Sequence, residues 1–145
     1  MISSLRVPLL VDSGVLYALF DKNDAYHSRA VECFRKNRRP LVCNAPVITE
    51  VTYLLGRWCS IQHQLIFLEF LQQPGWIIAN LDGDLVRIAE IMNTYRDLPA
   101  DFTDAALIAL AERLNCTDIL SVDRRGFHVY QPRHVERLNN LFFES

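Results

Sequence analysis

An α/β fold, a central and mostly parallel sheet of four to five strands with helices on both faces, is predicted by three features of the chain. Short apolar runs at 9–11, 41–43, 76–79 and 119–122 read as strands, the first of them continuous rather than alternating, as expected of a strand buried on both faces. Between the runs, apolar residues recur at helical spacing. Strand and helix alternate along the chain, so successive strands join through right-handed helical crossovers.

The first strand, Leu9–Val11, delivers Asp12. The period then changes: Val15, Leu16 and Leu19 lie at helical spacing, with Ser13 and Gly14 marking the turn. Ligands of open parallel sheets bind beyond the carboxyl ends of the strands, which is where Asp12 falls. From this stretch alone, an Asp that caps the following helix accounts for it equally well. That helix is expected to end near Phe20, before the polar break Asp21-Lys-Asn-Asp24. Asp24 is positioned to cap a second helix with the stripe Tyr26, Ala30, Cys33 and Phe34. Its basic end, Arg35-Lys-Asn-Arg-Arg39, suits a helix C-terminus and a solvated face. Pro40 stops it.

Leu41–Cys43 form the second strand, and Asn44-Ala-Pro46 opens a third helix with proline in its tolerated first turn. Val47, Val51, Leu54 and Trp58 trace its expected buried stripe, and Glu50 falls within that stripe. An ionised, unpartnered carboxylate costs several kcal/mol to bury. Glu50 therefore needs a cation, a donor network or a solvated cleft, unless it is only a first-turn acid favoured by the helix dipole. The next helix, from about Ser60, carries Ile61, Leu65, Ile66, Phe67, Leu68, Phe70 and Leu71. So much apolar surface points either to a second burial partner or to a thick core.

Gln72-Gln-Pro-Gly75 is a turn, Trp76–Ala79 a third strand, and Asp82 an expected cap for a helix with the stripe Leu85, Ile88, Ala89 and Met92. In the following helix, Leu107, Ile108 and Ala111 define the buried face and Asp104 lies on it, with Asp101 one turn earlier. Asp101 reads as the N-cap; Asp104 is either a favourable first-turn acid or part of a site. Asn115-Cys-Thr is the helix exit, and Ile119–Val122 a fourth strand ending in Asp123, where Asp123 to Gly126 also suits a type I turn. Phe127–Tyr130 is expected as a fifth, edge strand. Leu138, Leu141, Phe142 and Phe143 form an apolar tail that folds back or meets another subunit.

The 145 residues fit one domain spanning the whole chain. Cys33, Cys43, Cys59 and Cys116 show no zinc spacing and read as reduced, buried residues. No charged segment precedes the first apolar run, which Asp12 interrupts, so neither a signal peptide nor a membrane span is expected, and the cytoplasm is the expected location. The net charge of −2 provides no global basic field for nucleic acid. Thirteen of the fifteen basic residues are Arg, which suits bidentate phosphate contacts but is more simply a compositional habit.

In a parallel sheet with crossover helices, Asp12 and Asp123 leave strand ends, while Glu50 and Asp104 open helices at the same edge. Four acids then converge. At about 4 Å each ionised pair repels by roughly 4 kcal/mol at an effective dielectric of 20, so the cluster calls for a divalent cation or shared protons. All-oxygen ligands favour magnesium or manganese over zinc. A hard cation held by carboxylates suits phosphodiester hydrolysis. Aspartyl-phosphate chemistry competes, but Asp12-Ser-Gly-Val lacks a second acid two residues on, and no Lys follows Lys36.

The order Val11-Asp12-Ser13, Glu50 in its helix, Asp101-Phe-Thr-Asp104-Ala-Ala-Leu-Ile-Ala, and Ser121-Val-Asp123 before Arg-Gly-Phe resembles a PIN domain, close to the VapC-like toxins of bacterial toxin-antitoxin pairs. The resemblance covers nearly the whole chain and implies a three-layer α/β/α, Rossmann-like fold. It also implies that Asp12, Glu50, Asp104 and Asp123 form a catalytic quartet, with Asp12 and Asp104 as direct magnesium ligands. Ser121 would buttress the site, with Ser13 as a further supporting residue; Asp101 is an additional acid absent from many members of the family, and metal ligand, supporting residue and helix cap all stay open for it. The activity implied is magnesium-dependent RNA cleavage by a homodimer with a cognate antitoxin, the Ile61–Leu71 helix being a contact surface. A catalytically idle protein or RNA interaction module, or a housekeeping ribonuclease, are the competing readings.

Overall fold

The computed structural model describes residues 7–98, 101–124 and 126–144. Among these, five strands and seven helices follow one another as β1 (Leu9–Val11), α1 (Ser13–Phe20), α2 (His27–Lys36), β2 (Leu41–Asn44), α3 (Ala45–Trp58), α4 (Ile61–Phe70), β3 (Trp76–Ala79), α5 (Leu85–Thr94), α6 (Phe102–Leu114), β4 (Asp118–Leu120), α7 (Gly126–Val129) and β5 (Asn139–Asn140). Every strand pairing is parallel, in the order β3-β2-β1-β4-β5. The sheet is the middle layer of an α/β/α fold, with α1 packed on α2 and α3, α3 on α4, and α5 on α6. None of the described helices is long and apolar enough to cross a membrane.

β1 is central because all three of its residues are apolar and none is exposed to water. Leu10 lies between Val42 of β2 and Ile119 of β4. The chain builds outward from β1 through β2 to β3, then returns to β4 on the opposite side. β1 and β4 thus flank the point where strand order reverses, the usual position of a ligand crevice at the carboxyl edge. The most enclosed helix is α6, in which Ala105 through Ala111 are all buried. Its four alanines in that run allow neighbours to approach closely, and seven buried residues span every face rather than the single stripe expected of it.

Several boundaries differ from expectation. Phe127–Tyr130 is not an edge strand: Phe127 and Tyr130 are both buried and three residues apart, a spacing that one helical turn puts on one side, and α7 covers residues 126–129. The edge position belongs to β5, which pairs with β4 through Asp118↔Asn139 and Ile119↔Asn140. Leu138 and Phe142 beside it are buried, so the apolar tail folds back. The stripe of α3 is Val47, Val51 and Leu55, strictly four apart, which leaves Leu54 half-buried and Trp58 64% exposed. In α5 only Ile88 and Ile91 are buried; Leu85, Ala89 and Met92 are exposed. Asp84, not Asp82, takes its N-cap position, held there by Arg113 at 2.9 and 3.1 Å. Asp24 makes a turn instead of a cap, accepting from the Tyr26 amide at 2.8 Å one residue before α2 begins. The expected Asp123 to Gly126 turn includes position 125, which lies outside the described residues.

The α4 surface is not absorbed by a thick core. Phe67 is buried, whereas Ile61, Leu65, Ile66 and Leu68 are exposed. Cys43 and Cys116 are buried, Cys33 and Cys59 half-buried, and all four are free thiols. Several arginines serve ion pairs: Arg39 with Asp118 at 2.7 Å, Arg87 with Glu112 through two bonds of 2.8 and 2.9 Å, and Arg133 with Glu90 at 2.9 Å.

Candidate active site

Asp12 follows β1 directly and is buried, with an extended backbone that makes it the N-cap of α1. Oδ1 accepts from the Ser13 amide at 2.7 Å, and Oδ2 accepts from the Ser121 hydroxyl at 3.0 Å. The two sequence readings of this residue are therefore compatible, one oxygen capping the helix while the other is tied to the neighbouring strand end. Burial, opposed by these two hydrogen bonds and reinforced by the charges of Glu50 and Asp101, raises the Asp12 carboxyl to about 6.

Ser121 is fully buried just past β4, and its oxygen also accepts from the Asp123 amide at 3.0 Å. The Asn140 side chain brackets the Ser121 backbone, accepting from its amide at 3.1 Å and donating to its carbonyl at 2.9 Å. β5, otherwise only two residues long, thus fixes the residue that fixes Asp12. On the other side, the Ser13 hydroxyl donates to Glu50. Glu50 is half-buried and sixth in α3, so it lies in the second turn rather than the first. The helix-dipole explanation for its placement falls away at that depth, and the serine takes over.

Asp104 sits in the first turn of α6, whose N-cap is Asp101, exposed and accepting from the Asp104 amide at 2.8 Å. Burial and the charges of Asp12 and Asp101 raise Asp104 to about 7; the Tyr130 hydroxyl, donating at 3.3 Å, lowers it, and Asp123 raises it again. Tyr130 itself is pushed above the usual phenol range, first by burial and then by the Asp104 charge, so it remains a donor. Asp12, Glu50, Asp101, Asp104 and Asp123 therefore form one electrostatically coupled group. Among the described residues no Arg or Lys is ion-paired with Asp12, Glu50, Asp101 or Asp104.

An acidic cluster of this kind, with Asp12 buried and Glu50 and Asp104 half-buried, fits a hard divalent cation. Among the described residues no three acidic, His or Cys side chains are drawn together as a ready-made coordination shell. Magnesium is suited to such a site, since it dehydrates reluctantly and is held through one or two carboxylates with its waters retained.

Sequence reasoning misses three residues at this edge, two of which carry no local signal. Tyr130 reaches Asp104 only because α7 is a helix, and Asn140 reaches Ser121 only through strand pairing. Asn44, buried at the end of β2, donates to the Ala106 carbonyl at 3.3 Å and leaves its Oδ1 without a partner among the described residues. A polar residue directly after an apolar strand run was the available hint, the one that singled out Asp12.

A groove of about 530 Å³ opens beside Glu50, lined also by Ala45, Pro46, Tyr53, Leu81 and Phe102.

Residues 9–131 match the family profile of the PIN domain. Ribonuclease VapC26 of Mycobacterium tuberculosis is 30% identical over 125 residues, which cover 86% of this chain and 93% of that protein. Among solved structures, Mycobacterium tuberculosis VapC20, a toxin that cleaves the sarcin-ricin loop, superposes with a TM-score of 0.76 at 18% identity, over 81% of this chain and 92% of that one. At that identity the likeness is one of fold.

Proposed function

Because this chain belongs to the PIN domain family, we propose that it is a metal-dependent endoribonuclease hydrolysing RNA phosphodiester bonds, and the toxin of a toxin-antitoxin pair. The observation that carries the reading is the coupling of Asp12 and Asp104, whose carboxyls rise to about 6 and about 7 beneath a common acidic edge. Such a pair, with no Arg or Lys ion-paired to it among the described residues, is poorly explained by stability alone, and carboxylates perturbed in this way cluster at functional sites.

On this reading Asp12 and Asp104 hold magnesium, or manganese in its place. The ion, when bound, supplies neutralisation of the charge that develops on the phosphate and makes water acidic enough to attack near neutral pH. Glu50 and Asp123 would orient the attacking water and one of them would take its proton; the water oxygen bonds to phosphorus as one bridging P–O bond breaks, and the departing oxygen takes up a proton from solvent. Ser121 and Ser13 fix Asp12 and Glu50 through their hydroxyls. Asp101 caps α6 and adds to the local negative field.

RNA is the proposed substrate and the cytoplasm the proposed location. A cognate antitoxin and a second copy of the chain are the proposed protein partners. Exposed Ile61, Leu65, Ile66 and Leu68 on α4 support a protein contact there, since one helix seldom presents four large apolar side chains to water without a partner.

The test is cleavage of bulk RNA with magnesium by Asp12→Asn and Asp104→Asn. Each is expected to lose more than the roughly 10–100-fold typical of residues behind metal ligands. Wild-type rates in both would end the nuclease reading and favour an idle interaction module.

A further inference from the structure

From the groove beside the acidic edge, we infer that one unpaired nucleobase of the RNA stacks between α3 and α6, on Tyr53 and Phe102. The inference rests on the nuclease reading and names where its substrate is gripped. Tyr53 follows Glu50 by three residues on α3, one turn along the same face. Phe102 lies between Asp101 and Asp104 at the start of α6. The two rings are 63% and 42% exposed, yet both line the groove of about 530 Å³ that Glu50 also lines. That volume lies within the roughly 300–1,000 Å³ of small-ligand sites. The groove thus meets the acidic edge at Glu50.

Charge selects the occupant. The groove's lining carries one charged side chain, Glu50, and no cation that would hold a phosphate. Its acidic border repels the polyanionic backbone. The base is the neutral, flat and apolar part of a nucleotide, and proteins hold single-stranded RNA by stacking such bases on exposed aromatic rings. Pro46 adds apolar wall, while Thr49 and Thr103 add hydroxyls able to meet a base edge. A base seated here would leave its phosphate beside Glu50, so groove and carboxylates would grip adjacent parts of one nucleotide.

The experiment is fluorescence anisotropy of a labelled eight-nucleotide single-stranded RNA, with calcium in place of magnesium, alongside cleavage of unlabelled RNA in magnesium. A set of the same oligomer lacks one base at successive positions. For wild type, removal of one particular base is expected to weaken binding about tenfold, the usual effect of losing one stacked base. Tyr53→Ala and Phe102→Ala should show the same loss on the intact oligomer, with no further loss when that base is missing, and Tyr53→Phe should bind as wild type. Circular dichroism checks that the variants fold, which exposed positions favour.

Unchanged RNA binding in both alanine variants overturns the inference, as does a loss indifferent to which base is absent. Loss of antitoxin binding by Tyr53→Ala with RNA binding intact assigns the groove to the protein partner and also overturns it. Base-dependent binding by a wild type that cuts no RNA leaves the stacking site standing and removes the nuclease reading. Normal cleavage with indifferent alanine variants does the reverse.

Discussion

The Ser121 hydroxyl donates to Asp12 Oδ2 at 3.0 Å while its oxygen accepts the Asp123 amide at 3.0 Å, so a single side chain ties together the carboxyl ends of β1 and β4. The crevice where strand order reverses is closed at its floor by this bond. Ser121→Ala is expected to slow RNA cleavage by about 10–100-fold, the range for residues that orient metal ligands, and to cost about 1 kcal/mol of stability. Because the bond lowers the Asp12 carboxyl, its loss should move the rising limb of the pH–rate profile to higher pH. Ser121→Thr keeps the hydroxyl and should keep the profile. A profile that stays in place in the alanine variant would show that the bond is structural only.

Gly14 governs how closely α1 approaches that floor. A Cβ at position 14 would collide with the Val122 side chain, which lies between Ser121 and Asp123. Gly14→Ala must push β4's exit away from Asp12 or strain α1, a cost of about 1–3 kcal/mol for overpacking. Urea unfolding should record that loss, and cleavage should fall with it. Adding Val122→Ala removes the colliding methyl groups, so the double variant should regain stability relative to Gly14→Ala alone, a non-additivity expected only of residues in contact.

The two raised carboxyls fix a pH dependence with a definite sign. Asp12 and Asp104 rise from 3.8 to about 6 and about 7 on folding. From about pH 4 upward the unfolded chain has released these protons, while the folded chain retains that of Asp12 to about pH 6 and that of Asp104 to about pH 7. Metal-free protein must therefore lose stability as pH rises through that window. Urea midpoints in a chelator should be lower at pH 8 than at pH 5.5. Magnesium at pH 8 should restore part of the difference, since it binds only the folded site. A chelated protein more stable at pH 8 would contradict the charge arrangement.

How much of this was readable beforehand depended on whether the signal was local. β1 was legible because a strand buried on both faces must be continuously apolar, and Asp12 stood out against it. Asp104 stood out in the same way, on a helix whose next seven residues are all buried. Asn140 was not legible, because two asparagines have no strand preference and become β5 only by pairing with Asp118 and Ile119. Phe127–Tyr130 was misread since four apolar-rich residues fit either period, and only burial of both ends on one side decides for a helix. With α7 misread as a strand, the Tyr130 bond to Asp104 could not be foreseen. Glu50 was flagged on an incorrect stripe. Its actual support, the Ser13 hydroxyl, comes from a residue 37 positions away.

Asp101 is where cap and ligand can be separated by chemistry. Its Oδ1 accepts the Asp104 amide at 2.8 Å, the bond of an N-cap, and its negative charge raises both Asp12 and Asp104. Asparagine caps helices about as well as aspartate, whereas alanine forfeits about 1 kcal/mol. Asp101→Asn should therefore unfold at the wild-type urea concentration and Asp101→Ala at a lower one. Removing the charge should also lower the carboxyls of Asp12 and Asp104, so Asp101→Asn should cleave RNA with its rising limb displaced to lower pH and its plateau retained. A direct metal ligand behaves otherwise: the neutral amide would weaken magnesium binding and collapse the plateau at every pH. Retained plateau activity with an acid-shifted limb would assign Asp101 to capping and field, leaving Asp12 and Asp104 as the pair on which the metal rests.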